Sequence, residues 1–133
     1  MAIPAGVTAA TREDLLNAMH GEAFAYASYM LFAEAARRNE RIEIADLFEA
    51  TARTELLEHF AQQAACVGLV GADADNLRRA IEGESHEIDV VYPSYAEHAR
   101  AAGDGAAADR LEEIRRDELE HLEAFREALE SIV

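Results

Sequence analysis

Basic residues are scarce in this sequence: 12 Lys and Arg stand against 27 Asp and Glu, a formal charge of −15 over 133 residues. Such a surface repels nucleic acid and anionic lipid, both of which need a basic partner. Cysteine occurs once, as Cys66, which excludes a disulfide framework, a Cys-x-x-Cys zinc site and a four-cysteine iron centre within these residues. A lone cysteine of this kind is expected as a small buried hydrophobe. Tryptophan is absent and proline occurs twice. No run of about 18 apolar residues exists, so no spanning helix is expected. Met1 to Ala10 lacks a basic stretch followed by an apolar run, so no export signal is expected and the cytoplasm is the expected compartment.

Half of the residues are apolar, with Ala and Leu prominent, a composition that favours helix. The length suits one domain. Residues 1–10 are expected as an arm and residues 11–133 as one four-helix domain. Thr11 followed by Asp14 resembles a capping box and is expected to start the first helix, running to about Arg38. Leu15, Ala18, Glu22, Tyr26, Tyr29 and Ala33 share one face of it at helical spacing. Phe24 and Leu31 face elsewhere without being polar, which suggests a second face that a partner chain covers.

A turn at Asn39 to Arg41 leads into the second helix, to about Val67, whose stripe is Ile44, Phe48, Ala52, Glu55 and His59, with Glu58 at its edge. Gly68 to Gly71 offers a left-handed cap. Asp73 or Asp75 is expected to cap the third helix, with a stripe of Ile81, Glu84, Ile88, Val91, Tyr95 and Ala99 and with Glu87 at the edge. Pro93 removes a backbone donor inside that helix, so a kink or local widening is expected there. Gly103-Asp104-Gly105 separates it from the fourth helix, whose stripe is Leu111, Ile114, Glu118, Leu122, Phe125 and Leu129. Four amphipathic helices with short turns define an all-α bundle.

Carboxylates in the middle of apolar stripes are costly, several kcal/mol for an unpaired buried charge. The stripes hold almost no Arg or Lys to offset them, so dications are the expected compensation. Oxygen donors suit iron and manganese, and carboxylates can bridge two such ions. In Glu118-x-x-His121 one helix face delivers an oxygen and a nitrogen donor. Glu22, Glu55 with His59, and Glu84 with Glu87 complete a set of one or two Glu from two helices and a Glu–His pair from the other two. His20, His86 and His98 fall off the stripes and are expected at the surface.

The motifs Gly21-Glu22, Phe48 to Glu55, Gly83-Glu84-Ser85-His86-Glu87, Tyr92-Pro93-Ser94-Tyr95 and Glu118-Leu-Glu-His121 resemble those of the rubrerythrin family of ferritin-like diiron proteins. The resemblance runs from about Leu15 to Phe125. It implies a ferritin-like four-helix bundle holding two iron ions, with manganese or a mixed pair as variants. It further implies terminal carboxylates at Glu22 and Glu87, bridging carboxylates at Glu55 and Glu118, a nitrogen ligand at His121 and an additional carboxylate at Glu84. Tyr29 and Tyr92 match tyrosines that hydrogen-bond ligands beside the metals. The family places a histidine three residues after the bridging glutamate of helix 2. Here that position is Glu58 and the histidine follows as His59. Either spacing can reach one helix face, and a π-bulge can absorb one extra residue. His59 is the expected ligand, with Glu58 an alternative to it or a companion. The implied activity is reduction of hydrogen peroxide, with Fe(II) oxidation by peroxide or dioxygen alongside. Because these residues contain no rubredoxin module of the kind usual in the family, electrons are expected from a separate rubredoxin-like protein. Iron binding or storage without turnover is the rival function, and a bundle whose acids merely solvate one face is a third.

The connection after helix 2 has a consequence for assembly. Glu55 lies ~20 Å before the end of that helix and Glu84 ~12 Å after the start of the next. A ferritin-like crossover must therefore climb ~32 Å, whereas residues 68–74 extend to at most ~24 Å. A homodimer that swaps helices 1–2 and 3–4 between chains is expected, with a simple up-down-up-down bundle as the other solution.

Overall fold

The computed structural model describes residues 6–133, all of whose regular structure is helical. Helix α1 spans Ala9–Arg38. Helix α2 starts as Ile42–Thr54, passes through a π-helical turn at Glu55–Phe60 and resumes over Ala61–Val67. Helix α3 runs over Asp73–His86, widens into a π turn at Glu87–Val91 and continues through Tyr92–Ala101. Helix α4, Gly105–Ile132, is regular throughout. The four expected helices are present, and two of them carry a widened turn.

The chain divides into two compact units, residues 1–70 and 71–133, each an antiparallel helical hairpin. In the first, α1 and α2 pack through small residues. Ala33, Ala36 and Ala45 are buried against Phe48, and further along Met19, Ala64 and Val67 are buried among Leu15, Leu16, Phe60 and Leu69. Alanine at the contact lets the two backbones approach closely. The turn between the helices holds Glu40 at φ 59. Arg37 clamps it by pairing with Asp46 and Glu49, and at the other end Arg12 donates to the Val67 carbonyl at 2.8 Å. Gly68 ends α2 at φ 64 and ψ 41, the left-handed conformation that glycine adopts without a Cβ penalty.

In the second unit, Ile88 and Ala96 of α3 and Ala108 and Leu122 of α4 are the buried apolar residues. Gly103, at φ 85, makes the turn, and Arg100 bridges to Asp109 and Glu112 at 3.0 Å each.

Several local expectations are corrected. Helix α1 starts at Ala9 rather than Thr11: the Thr8 hydroxyl accepts from the Thr11 N–H and so caps the helix one turn earlier. Of the expected arm, residues 1–5 lie outside the described residues, and residues 9 and 10 are already helical. Ala72, not Asp73 or Asp75, is the α3 N-cap, and no side chain caps it. Instead the Asn76 side chain closes the preceding loop by bonding both polar groups of the Gly71 backbone. Cys66 is half-buried rather than enclosed. Tyr95 leaves the core stripe, being 55% exposed, and Ala96 takes its place at 4%. The π turn at Glu87–Val91 explains that exchange, because one extra residue per turn moves the buried register on by one.

Phe24 and Leu31 are 77% and 65% exposed, matching the expected second apolar face on α1, and Leu47 and Leu57 are also well exposed on α2. No large side chain among the described residues is fully buried. A hairpin with so thin a core is marginal by itself.

Candidate metal centre

In the first unit Glu22 projects from the middle of α1 towards α2. The π turn of α2 starts at Glu55, and the widened turn returns His59, four residues on, towards the face that Glu55 occupies. The His59 Nδ1 stands 3.1 Å from Glu55 Oε2 and 3.6 Å from Glu22 Oε2. Three donors of one chain thus converge, with ligand atoms all within 4.8 Å of one another.

The second unit builds the same trio from other parts. Glu84 comes from α3, and Glu118 and His121 come from the regular α4 at the three-residue spacing. His121 Nδ1 lies 3.0 Å from Glu118 Oε2 and 3.8 Å from Glu84 Oε1. These three also lie within 4.8 Å of one another. Glu87 opens the π turn beside them, and Tyr92 follows that turn, half-buried.

Electrostatics couples the carboxylates within each trio. Glu22 and Glu55 face each other, and their shared hydrogen bond holds Glu22 above the usual carboxylate range and Glu55 below it. In the second unit the corresponding bond to Glu118, together with burial, pushes Glu84 up to about 7, while the same bond and the one to His121 hold Glu118 down against burial. His59 and His121 are raised, chiefly by hydrogen bonds to Glu55 and Glu118. Burial, then the charges of Glu87, Glu118 and Glu84, push the Tyr92 hydroxyl up. Like charges this close retain a proton unless a cation replaces it. One oxygen, Glu84 Oε2, is buried and has no hydrogen-bond partner. A buried carboxylate with one unpaired oxygen, in a residue whose other oxygen lies 3.8 Å from an imidazole, fits a dication ligand, and two oxygens with one nitrogen suit iron or manganese.

The candidate residues therefore fall into two sets. Glu22, Glu55 and His59 meet in one unit, and Glu84, Glu118 and His121 in the other. Glu58 is exposed and outside the first trio, and Glu87 borders the second. Tyr29 stacks in an aromatic group, its ring 5.8 Å from Phe48 and 6.3 Å from Phe32. His20, His86 and His98 are exposed. The sequence reading missed Arg115, whose guanidinium donates from Nε to the Ile88 carbonyl at 2.8 Å. Its only sequence signal was indirect, the N–H that Pro93 lacks.

An all-α chain with two Glu/Glu/His trios has the donor set of the helical carboxylate metalloproteins. Comparison with known proteins narrows the class. The rubrerythrin family model matches residues 54–129. Rubrerythrin of Porphyromonas gingivalis is 34% identical over 125 residues, covering 84% of this chain and 62% of the relative. Nigerythrin of Nitratidesulfovibrio vulgaris is 32% identical, covering 92% of this chain and 67% of the relative. Rubrerythrin-2 of Clostridium acetobutylicum is 31% identical, covering 92% and 74%. The chain belongs to the rubrerythrin family. It spans about two thirds of the length of these relatives. Among the described residues, no helix is long and apolar enough to cross a membrane.

Proposed function

We propose that this chain is a diiron oxidoreductase that reduces hydrogen peroxide to water, with Fe(II) oxidation as a side activity. The observation that carries the reading is the pair of Glu/Glu/His trios, with the additional carboxylate, Glu84, inside the second and Glu87 and Tyr92 beside it. Glu22, Glu55 and His59 would hold one iron ion, and Glu84, Glu118 and His121 the other. When bound, the metal pair supplies two electrons and open positions for the oxidant. The protein's part is to hold the donors and to manage charge. Carboxylates that share protons in the metal-free chain are stabilised as anions once cations arrive. Glu87 lies close enough for its charge to raise Glu84, and would offer a further carboxylate beside the second trio. The Tyr92 hydroxyl, kept neutral by its surroundings, remains a proton donor beside the carboxylates. Reducing one peroxide to two waters takes two electrons and two protons, and a separate rubredoxin-like protein would return the electrons.

Two chains would complete each site. Helix α3 starts at Asp73, 11 residues before Glu84, so the climb a ferritin-like crossover needs exceeds the ~32 Å expected from sequence. The connection available is residues 68–72, about 21 Å at full stretch between the flanking helices. The exposed apolar side chains of α1 and α2 give a second copy a surface to cover.

The test is single-turnover. Anaerobic, Fe(II)-loaded protein mixed with one equivalent of peroxide is expected to oxidise two irons per peroxide, far faster than free Fe(II). Oxidation no faster than free Fe(II) would leave iron binding without turnover as the better account.

A further inference from the structure

The second unit contains a bond that its own helix cannot make. In a regular helix the Ile88 carbonyl accepts from the N–H four residues on, that of Tyr92. In the π turn the Tyr92 N–H bonds Glu87 instead. The next donor in π geometry is five residues on, and that residue is Pro93, which has no N–H. The Ile88 carbonyl is thereby orphaned on a residue that is 3% exposed, where water does not readily replace the missing donor. The Arg115 Nε fills the gap at 2.8 Å, in a part-buried bond that crosses from α4 to α3.

The position of this bond matters more than its strength. Ile88 follows Glu87 directly and lies one turn beyond Glu84. Arg115 lies one turn before Glu118. The bond therefore joins the two ligand-bearing helices next to the trio. A π turn is a one-residue insertion, and its relaxation to α geometry would rotate Glu84 and Glu87 relative to Tyr92 and Ala96. Arg116, the neighbouring arginine, is exposed and makes no comparable contact among the described residues.

We propose that Arg115 is a positioning residue: its guanidinium stands in for the N–H that Pro93 lacks, and so holds the widened turn that sets Glu84, Glu87 and Tyr92 beside Glu118 and His121. The inference rests on the metal reading for its consequence but not for the bond itself. An ammonium on a flexible stem donates less directionally than a guanidinium. Lysine at this position is therefore a partial substitute and leucine is none.

A double-mutant cycle on the whole chain tests it, with Co(II) as the metal probe. Arg115→Leu is expected to speed amide exchange in residues 87–92 by about tenfold or more. It should also weaken Co(II) binding by about tenfold and shift the ligand-field absorption band. Adding Pro93→Ala supplies an N–H five residues beyond Ile88, and the double variant is expected to recover both properties to within about threefold. Arg115→Lys should fall between the wild type and Arg115→Leu. Unchanged exchange in Arg115→Leu, or failure of Pro93→Ala to rescue it, would overturn the bond's role and leave Arg115 as packing. Faster exchange with unaltered Co(II) binding would overturn the positioning of the trio. Wild-type protein that takes up no Co(II) would overturn the metal reading and with it the positioning of ligands, while the exchange data would still decide what holds the turn.

Discussion

The two hairpins reach nearly the same arrangement by different local structures. In the second, Glu118 and His121 stand three residues apart on a regular helix, 3.0 Å from each other. In the first, Glu55 and His59 stand four apart, a spacing that also shares a helix face, and their contact is 3.1 Å across a π-helical turn. The widened turn of the second hairpin sits on its other helix, after Glu84. What is common to the two is the convergence of two carboxylates on one imidazole, not the spacing in sequence. The extra residue in α2 is accommodated by backbone hydrogen bonding, so the helix beyond it keeps its buried face at Phe60, Ala64 and Val67.

That difference can be broken by deletion. Removing Leu119 from the regular helix is expected to have the largest effect. It turns Leu122 and everything after it by about 100°, displaces His121 from Glu118, and costs ~3 kcal/mol or more in lost packing. Thermal unfolding and Co(II) titration should both show the loss. Removing Leu57 from the π turn should do far less, since the deletion converts the widened turn into a regular one with a Glu-x-x-His spacing. The variant is expected to bind Co(II) within about tenfold of wild type. Equal damage from the two deletions would mean that the π turn does not act as an accommodated insertion.

Single ligands come next. Glu55→Ala and Glu118→Ala should each weaken metal binding by at least about 100-fold, more than is typical of residues that only orient ligands. Glu58→Ala, one residue from His59 but exposed, should change it less than about threefold. Isothermal titration with Co(II) separates these, and a large effect at Glu58 would move the ligand assignment to it.

The smallest expected effect is the pH dependence of the metal-free chain. Glu84 is raised from 4.5 to about 7, so the folded chain holds a proton there that the unfolded chain releases, and stability falls as pH rises through that window. The raised His59 and His121 act in the same sense above 6.5, with stability lost as pH rises through their folded values. The lowered Glu55 and Glu118 lose their contribution only in acid, below 4.5. Metal-free protein should therefore melt highest near pH 5 and several degrees lower at pH 8. Saturating metal should flatten that slope by replacing the shared protons.

Much of this was legible in the sequence, because helical periodicity reports which side chains share a face. Glu22, Glu55, His59, Glu84, Glu118 and His121 all fell on or beside apolar stripes, and each belongs to one of the two trios. Periodicity fails where the period itself changes. Counting at 3.6 residues per turn across the π turn puts Tyr95 on the buried stripe, whereas Ala96 is buried. Pro93 signalled the disturbance but not its remedy, since the donor that compensates for it, Arg115, is 22 residues further on in another helix. Helix starts were misplaced because caps depend on loop geometry. Thr8 and Thr11 are both competent caps by composition, and only the backbone at Thr8 is extended.

Magnetic coupling tests most directly whether the two trios make one dinuclear centre. Protein loaded with two equivalents of Fe(II) per chain and oxidised with peroxide should show paired ferric quadrupole doublets in the Mössbauer spectrum and little electron paramagnetic resonance signal. A full-intensity resonance of isolated high-spin ferric ions, at the same two irons per chain, would mean that each hairpin binds its metal alone.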